Sequence, residues 1–339
     1  VIDVLVVGAG PAGLATALHA AAAGLQTTVL DSHEGPIDKA CGEGLMPGAL
    51  RRLRELGVQV SGQPIRGISY RRAQYRAEAE FRLGPGAGVR RTELHSALRA
   101  RAIELGVPIC KAKVGPISQD GSSVTAAGMR ARYLVAADGL HSPIRRQLRL
   151  DRPAPGQLRR WGLRQHFDVE PWSDFVEVHW ARDSELYVTP VSPSRVGIAI
   201  LSSQRQSFRE ALADFAEVAQ RLPASGVNTI RGAGPLRQAS KSRVAGRVLL
   251  IGDAAGYVDA LTGEGIAVSL ACAQPLVKAL LANRPADYER DWRSASRRYR
   301  VLTESLLWAR QRRMLNTALV PASQRAPWLF AAIVNQLAR

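Results

Sequence analysis

The chain has 339 residues and a formal net charge of +17, long enough to bury a large core and to be an enzyme rather than a small binding module. Its 46 lysines and arginines, against 29 acids, are mostly scattered arginines with no helix-turn-helix signature and no aromatic-interleaved RNA motif. Nucleic acid is therefore not an expected partner; the charge reads first as a solvated, arginine-biased surface, with an acidic substrate, a carrier or a lipid surface as the alternative. Cys41, Cys110 and Cys272 lie far apart without C-x-x-C spacing, which argues against a disulfide framework or a metal site and fits a cytoplasmic location.

The first strand begins almost at once, so no secretory signal is expected. Val4 to Val7 form a β-branched and apolar run of the kind buried on both faces of a parallel sheet. Gly8, Gly10, Pro11, Ala12 and Gly13 follow in a G-x-G-x-x-G turn, and an alanine-rich helix runs from Pro11 to about Ala23, stopped by Gly24. The first glycine permits the reversal, the second lets a pyrophosphate approach, and the third lets helix and strand pack closely. A second strand, Thr27 to Leu30, ends at Asp31, where a carboxylate accepts ribose hydroxyls, followed by Ser32. Hydropathy alone would read Val4 to Leu25 as a membrane span, but the glycines and the proline fall where a nucleotide turn needs them.

The loop from Ser32 to Gly48 carries Ala40-Cys41-Gly42-Glu43-Gly44-Leu45, whose glycines suit close backbone approach to a ligand. Pro47 to Leu56 reads as a helix, and Gly67 to Leu83 as alternating strands. Thr92 is the expected N-cap of a helix through Leu105 that buries Leu94, Leu98 and Ile103. Val107 to Val114 reads as a further strand of the nucleotide sheet, and Val124 to Arg132 as the end of a hairpin leading to it. Leu134 to Ala136 runs into Asp138 and Gly139, a ligand-facing turn, and Arg247 to Ile251 runs into Gly252-Asp253-Ala254-Ala255-Gly256. Gly263, Glu264, Gly265 and Ile266 then open a helix whose free N–H groups can face an anionic or electron-rich ring. Between these stretches, Trp161–Asp168, Phe175–Trp180, Glu185–Thr189 and Val196–Leu201 alternate as antiparallel strands, and Phe208 to Leu222 looks helical.

The expected fold is α/β: a Rossmann-type dinucleotide-binding domain (1–65, 84–150, 240–285) interleaved with an antiparallel sheet domain (66–83, 151–239) and a C-terminal helical segment (286–339). The tail, with Trp328, Leu329, Phe330, Ile333, Val334 and Leu337 beside arginines, either packs on the body or lies peripherally on a membrane.

The order GAGPAG, Asp31, AADGLHSPIR (Ala136–Arg145) and GDAAG resembles the FAD-dependent oxidoreductases with the para-hydroxybenzoate hydroxylase fold. Within them it is similar to the branch of geranylgeranyl reductases and aromatic-polyketide hydroxylases. The resemblance spans residues 1 to about 285 and implies FAD, with NADPH or NADH as transient reductant. It assigns the glycine turn and Asp31 to the ADP half, Arg91 to the ribityl or pyrophosphate region, and Val114 to a backbone contact with adenine. It further assigns Asp138 and Gly139 to the pyrophosphate and a passing nicotinamide coenzyme, Asp253 to the ribityl chain, and Gly263 to Ile266 to the flavin pyrimidine edge.

Two departures narrow the branch. Gly256 and Ala260 stand where the hydroxylases commonly carry histidine and proline, whereas GDAAG with LTGEGI and ACGEGL is closer to the reductases. The reductases' Y-x-W-x-F-P element survives here only as Tyr187-Val188-Thr189-Pro190. The reaction first expected is NAD(P)H-driven hydroxylation of a phenolic or polyketide-like ring, with His166, His179, Tyr187 and Cys41 as catalytic candidates, the first three for proton relay. Glu177 and His179 share strand parity and suit a pair. The alternative is reduction of carbon–carbon double bonds in an isoprenoid or other lipid-like substrate. A halogenase, for which no Trp-x-Trp-x-Ile-Pro element is present, and a non-enzymatic FAD-binding protein are lesser alternatives.

Overall fold

The computed structural model describes residues 2–153 and 159–339. The Ile2–Val7 strand lies at the centre of a largely parallel sheet, and its Val4, Leu5 and Val6 are fully buried, as an apolar run covered on both faces must be. Thr27–Asp31 and Met129–Ala136 flank it in parallel; Ile109–Lys111 and Val248–Leu250 extend the sheet outward. The helices Pro11–Ala22 and Gly265–Leu281 pack together on this sheet, both rich in small side chains that permit close approach.

A second sheet of seven strands runs in the order Arg231–Ala233, Trp161–Phe167, Arg195–Ser202, Ser184–Ser192, Phe175–Trp180, Gly67–Arg72, Tyr75–Glu80. All neighbours are antiparallel except Gly67–Arg72 with Phe175–Trp180, where the early hairpin joins the later strands. Alternation divides its faces. Val176, Val178, Tyr187 and Leu201 meet the C-terminal helices and the nucleotide half, while Leu186, Val188, Ile198 and Ile200 pack on Phe208 and Phe215.

Three expectations are corrected. The third helix spans Arg91–Glu104, so Thr92 lies inside its first turn rather than at its cap. The Arg91 N–H is instead taken by the distant Glu43 carboxylate at 2.8 Å. Its buried stripe runs Leu94, Leu98, Ala102 at four-residue spacing, leaving Ile103 52% exposed. The segment read as one helix over Phe208 to Leu222 is two, Phe208–Ala213 and Ala216–Ala219. The break falls at Phe215, which leaves helical geometry as its ring enters the core, beside Asp214, which accepts from Ser184 Oγ at 2.9 Å.

The tail forms three helices, Asp287–Gln311, Arg313–Arg325 and Pro327–Leu337. The last joins both halves. Phe330 packs on Tyr70 of the second sheet (ring centroids 4.8 Å apart), and Gly48 N–H donates to the Ala338 carbonyl at 2.9 Å. Among the described residues, no helix is long and apolar enough to cross a membrane.

Candidate functional site

Between the glycine turn and the inner face of the seven-stranded sheet lies a cavity of about 870 Å³. That is near the upper end of the roughly 300–1,000 Å³ typical of ligand pockets. Its nucleotide-side wall combines Gly10, Pro11 and Ala12 with the turn at Asp138 and Gly139 and with Asp253. The opposite end is apolar, formed by Ile65, Ile68, Phe81, Val178 and Leu201 and closed by Val334 and Leu337 of the last helix.

The three glycines of the turn differ in what a side chain would meet. A Cβ on Gly13 would fall 1.8 Å from the Gly8 carbonyl oxygen, and one on Gly8, at φ +108°, would strike the Ala137 carbonyl at 2.3 Å. Gly10 meets only the far end of Arg91 at 3.9 Å, so its backbone is open toward the cavity. The Pro11 and Gly265 helices both begin without a side-chain cap, and residues of both first turns line the cavity.

Cys41, Gly42, Arg91, Gly263, Gly265, Ile266 and Tyr187 also line the cavity. Gly8, Gly13, Ser32, Val114 and Gly252 do not; Gly252 packs against Ala12 behind the wall, and Val114 is half-buried at the edge of the nucleotide-sheet core. Asp31 stands away from the lining and braces the turn, accepting from Ala9 N–H at 2.7 Å and from His33 N–H at 2.8 Å. Two lining acids are held toward their neutral forms by burial: Asp253, and Asp138, whose Oδ1 lacks a partner. Burial likewise raises the Cys41 thiol and lifts Tyr187 well above the ordinary phenol range. The Tyr187 hydroxyl donates to the Leu261 carbonyl at 2.8 Å and so ties the sheet to the loop before Gly263. Glu264 is buried behind the lining with Oε2 unpartnered, and desolvation pushes its pKa up to about 8.

Two proton-relay candidates fall outside the cavity. His179 sits on the far face of its strand, paired with Glu177 at 3.0 Å as strand parity suggests; Arg71 and Trp172 complete that cluster. His166 is buried behind the Cys41 loop, 2.6 Å from Glu43 Oε2. Asn228 donates to its Nδ1 at 2.8 Å, with an Arg164 N–H at 3.1 Å, so Nε2 carries the proton given to Glu43. Arg164 in turn pairs with Asp38, which Arg231 also holds at 2.9 Å. Sequence reasoning passed over Glu43. Its signal was an acid between two glycines in a loop otherwise shaped for a ligand, and its φ of +60° places it in the left-handed region.

Arg145 is the second missed residue. Fully buried, it donates to the carbonyls of Asp253, Ala254 and Leu140, to Gln238 and to Asp151. It thereby locks the Asp138 turn to the Gly252–Ala255 turn.

This arrangement defines a flavoprotein: the chain belongs to the FAD binding domain family, which it matches over residues 1–285, and is an FAD-dependent oxidoreductase with the para-hydroxybenzoate hydroxylase fold. It is 32% identical to menaquinone reductase of Mycobacterium tuberculosis, over 86% of this chain and 79% of that one. It is 28% identical to digeranylgeranylglycerophospholipid reductase 2 of Methanopyrus kandleri, over 80% and 74%. A flavoprotein/dehydrogenase of Cytophaga hutchinsonii shares the fold, with a TM-score of 0.88, 20% identity and coverage of 99% and 92%. The cavity fits FAD chemically, through an open glycine backbone, two uncapped helix starts, a buried Arg91 with Nε unpartnered, and the unpartnered Asp138 Oδ1.

Proposed function

We propose that this enzyme saturates carbon–carbon double bonds in a long, apolar, isoprenoid-type substrate. The observation that carries the reading is the apolar end of the cavity, where Ile65, Ile68, Phe81, Val178 and Leu201 meet Tyr70 and Tyr187, two phenols held neutral by burial. These residues supply no base to draw a proton from a phenol, as a hydroxylase of phenolic rings requires, and they suit a hydrocarbon chain. The names of the menaquinone and digeranylgeranylglycerophospholipid reductases agree with this choice.

In this reading the Gly10–Ala12 turn and Arg91 hold the pyrophosphate and Asp253 the ribityl hydroxyls. Gly263, Gly265 and Ile266 would face the flavin pyrimidine edge, and Asp138 and Gly139 would stand where a nicotinamide coenzyme enters. When bound and reduced by that coenzyme, FAD would supply the hydride for one alkene carbon. Cys41 gives its proton to the other carbon and regains one from solvent, so each double bond gains two electrons and two protons. Burial keeps this thiol protonated, and turnover stays level with rising pH until the pH passes the raised thiol value. Cys41→Ala is expected to lower kcat by about 100-fold with a smaller change in KM.

The deciding experiment incubates holoenzyme anaerobically with NADPH and a geranylgeranyl lipid or isoprenoid quinone, and follows product mass. A gain of H₂ per double bond is expected. Oxygen uptake with an oxygenated phenolic product, and no alkene reduction, would replace this reading by the hydroxylase one.

A further inference from the structure

The last three helices leave a face that the fold does not cover. Met314, Leu315, Trp328, Leu329 and Ile333 are exposed, Met314 by 83% and Trp328 by 73%. The face continues onto the second sheet, because Asn335 accepts from Arg82 N–H at 2.7 Å and donates to the Glu80 carbonyl at 2.9 Å, bringing the exposed Leu83 alongside. Its charge is one-sided. From Ser305 to Arg339 there is no aspartate or glutamate, and Arg312, Arg313, Arg325 and Arg339 are all exposed. The helix Pro327–Leu337 is apolar nearly all round, with Val334 and Leu337 on the cavity and Trp328, Leu329 and Ile333 on solvent. A helix of this kind is at rest only with an apolar phase on both sides.

We propose that this face docks on an anionic bilayer. Trp328, Leu329, Ile333 and Leu83 enter the interface, and the arginines meet lipid phosphates. An apolar substrate then passes from the bilayer to the cavity alongside a helix whose far side is already the cavity wall. From Ser305 onward the tail contributes exposed arginines and no acids, and the acids of the adjoining strand, Glu78 and Glu80, are paired with Arg76 and Arg66, so the face favours anionic lipid over a second copy of this chain, which would bring like charge against like. The docking adds the route of entry to the substrate reading above, but its test uses no turnover, so either can fail alone.

The test is flotation of holoenzyme with phosphatidylcholine vesicles, with and without phosphatidylglycerol. Binding is expected to the anionic vesicles only, weakened by salt, with a blue shift of tryptophan fluorescence. The triple variant Trp328→Ser, Leu329→Ser, Ile333→Ser is expected to lose at least about tenfold in vesicle affinity while keeping its flavin spectrum and Tm. A second variant, Arg312→Gln with Arg313→Gln and Arg325→Gln, is expected to abolish the preference for phosphatidylglycerol. Equal binding to both vesicle types, unchanged binding by both variants, or a dimer in light scattering that the triple variant breaks would each overturn the proposal.

Discussion

At the scale of single residues, burial rather than identity sorts the titratable candidates. Glu264 holds its proton to about pH 8 in the folded state and gives it up near the ordinary carboxyl value when unfolded, so the native state binds more protons through that window and stability falls as pH rises from about 5 to 8. Glu264→Gln removes this loss. The Tm of the holoenzyme variant is expected to exceed that of the parent by at least about 2 °C at pH 8, with the gap closing at pH 5. The two histidines separate in the same way. His166→Ala leaves the buried Glu43 carboxylate short of a partner and is expected to cost about 3 kcal/mol in urea unfolding. His179→Ala leaves Glu177 with Arg71 and Trp172, and is expected to cost about 1 kcal/mol. Both histidines were visible in the sequence as candidates. Strand parity paired His179 with Glu177 but could not say which face met the cavity, and no local pattern joins His166 to Glu43, which lies 123 positions away.

At the scale of elements, the turns that follow parallel strands were legible, and the contacts that hold turns together were not. The glycine turn, the Asp138 turn and the Gly252 turn each follow a buried strand, and short-range spacing announces all three. The Arg145 side chain that ties the last two is one arginine among many in an arginine-rich chain, and three of its five partners, Gln238, Asp253 and Ala254, lie more than 90 positions away. Arg145→Leu is expected to destabilise the protein by about 3–5 kcal/mol and to raise the FAD dissociation constant, measured by flavin fluorescence. The helix starting at Arg91 repeats the lesson, since its cap comes from Glu43 and not from the neighbouring Thr92. The broken helix near Phe215 repeats it too, because burial of a ring outweighed continuous helical propensity.

At the scale of the whole molecule, the two sheets are each built from segments far apart in sequence, and the cavity exists only where they meet. Alternation in the strands of the second sheet was readable, but the parallel junction between Gly67–Arg72 and Phe175–Trp180, which fuses the early hairpin to the later strands, has no signal in either segment. The closing helix is the remaining joint. Phe330→Ala removes the ring packed on Tyr70 and is expected to cost about 3–4 kcal/mol and to unseat Val334 and Leu337, seen as faster proteolysis after residue 326. The position of Val248–Leu250 beside Met129–Ala136 also sets a timetable for synthesis. The nucleotide turn leaves the ribosome first, yet the strand and helix start that complete its pocket are made some 240 residues later. Nascent chains arrested before residue 266 should therefore emerge without flavin fluorescence quenching, and chains released after it should acquire the cofactor in a single late step.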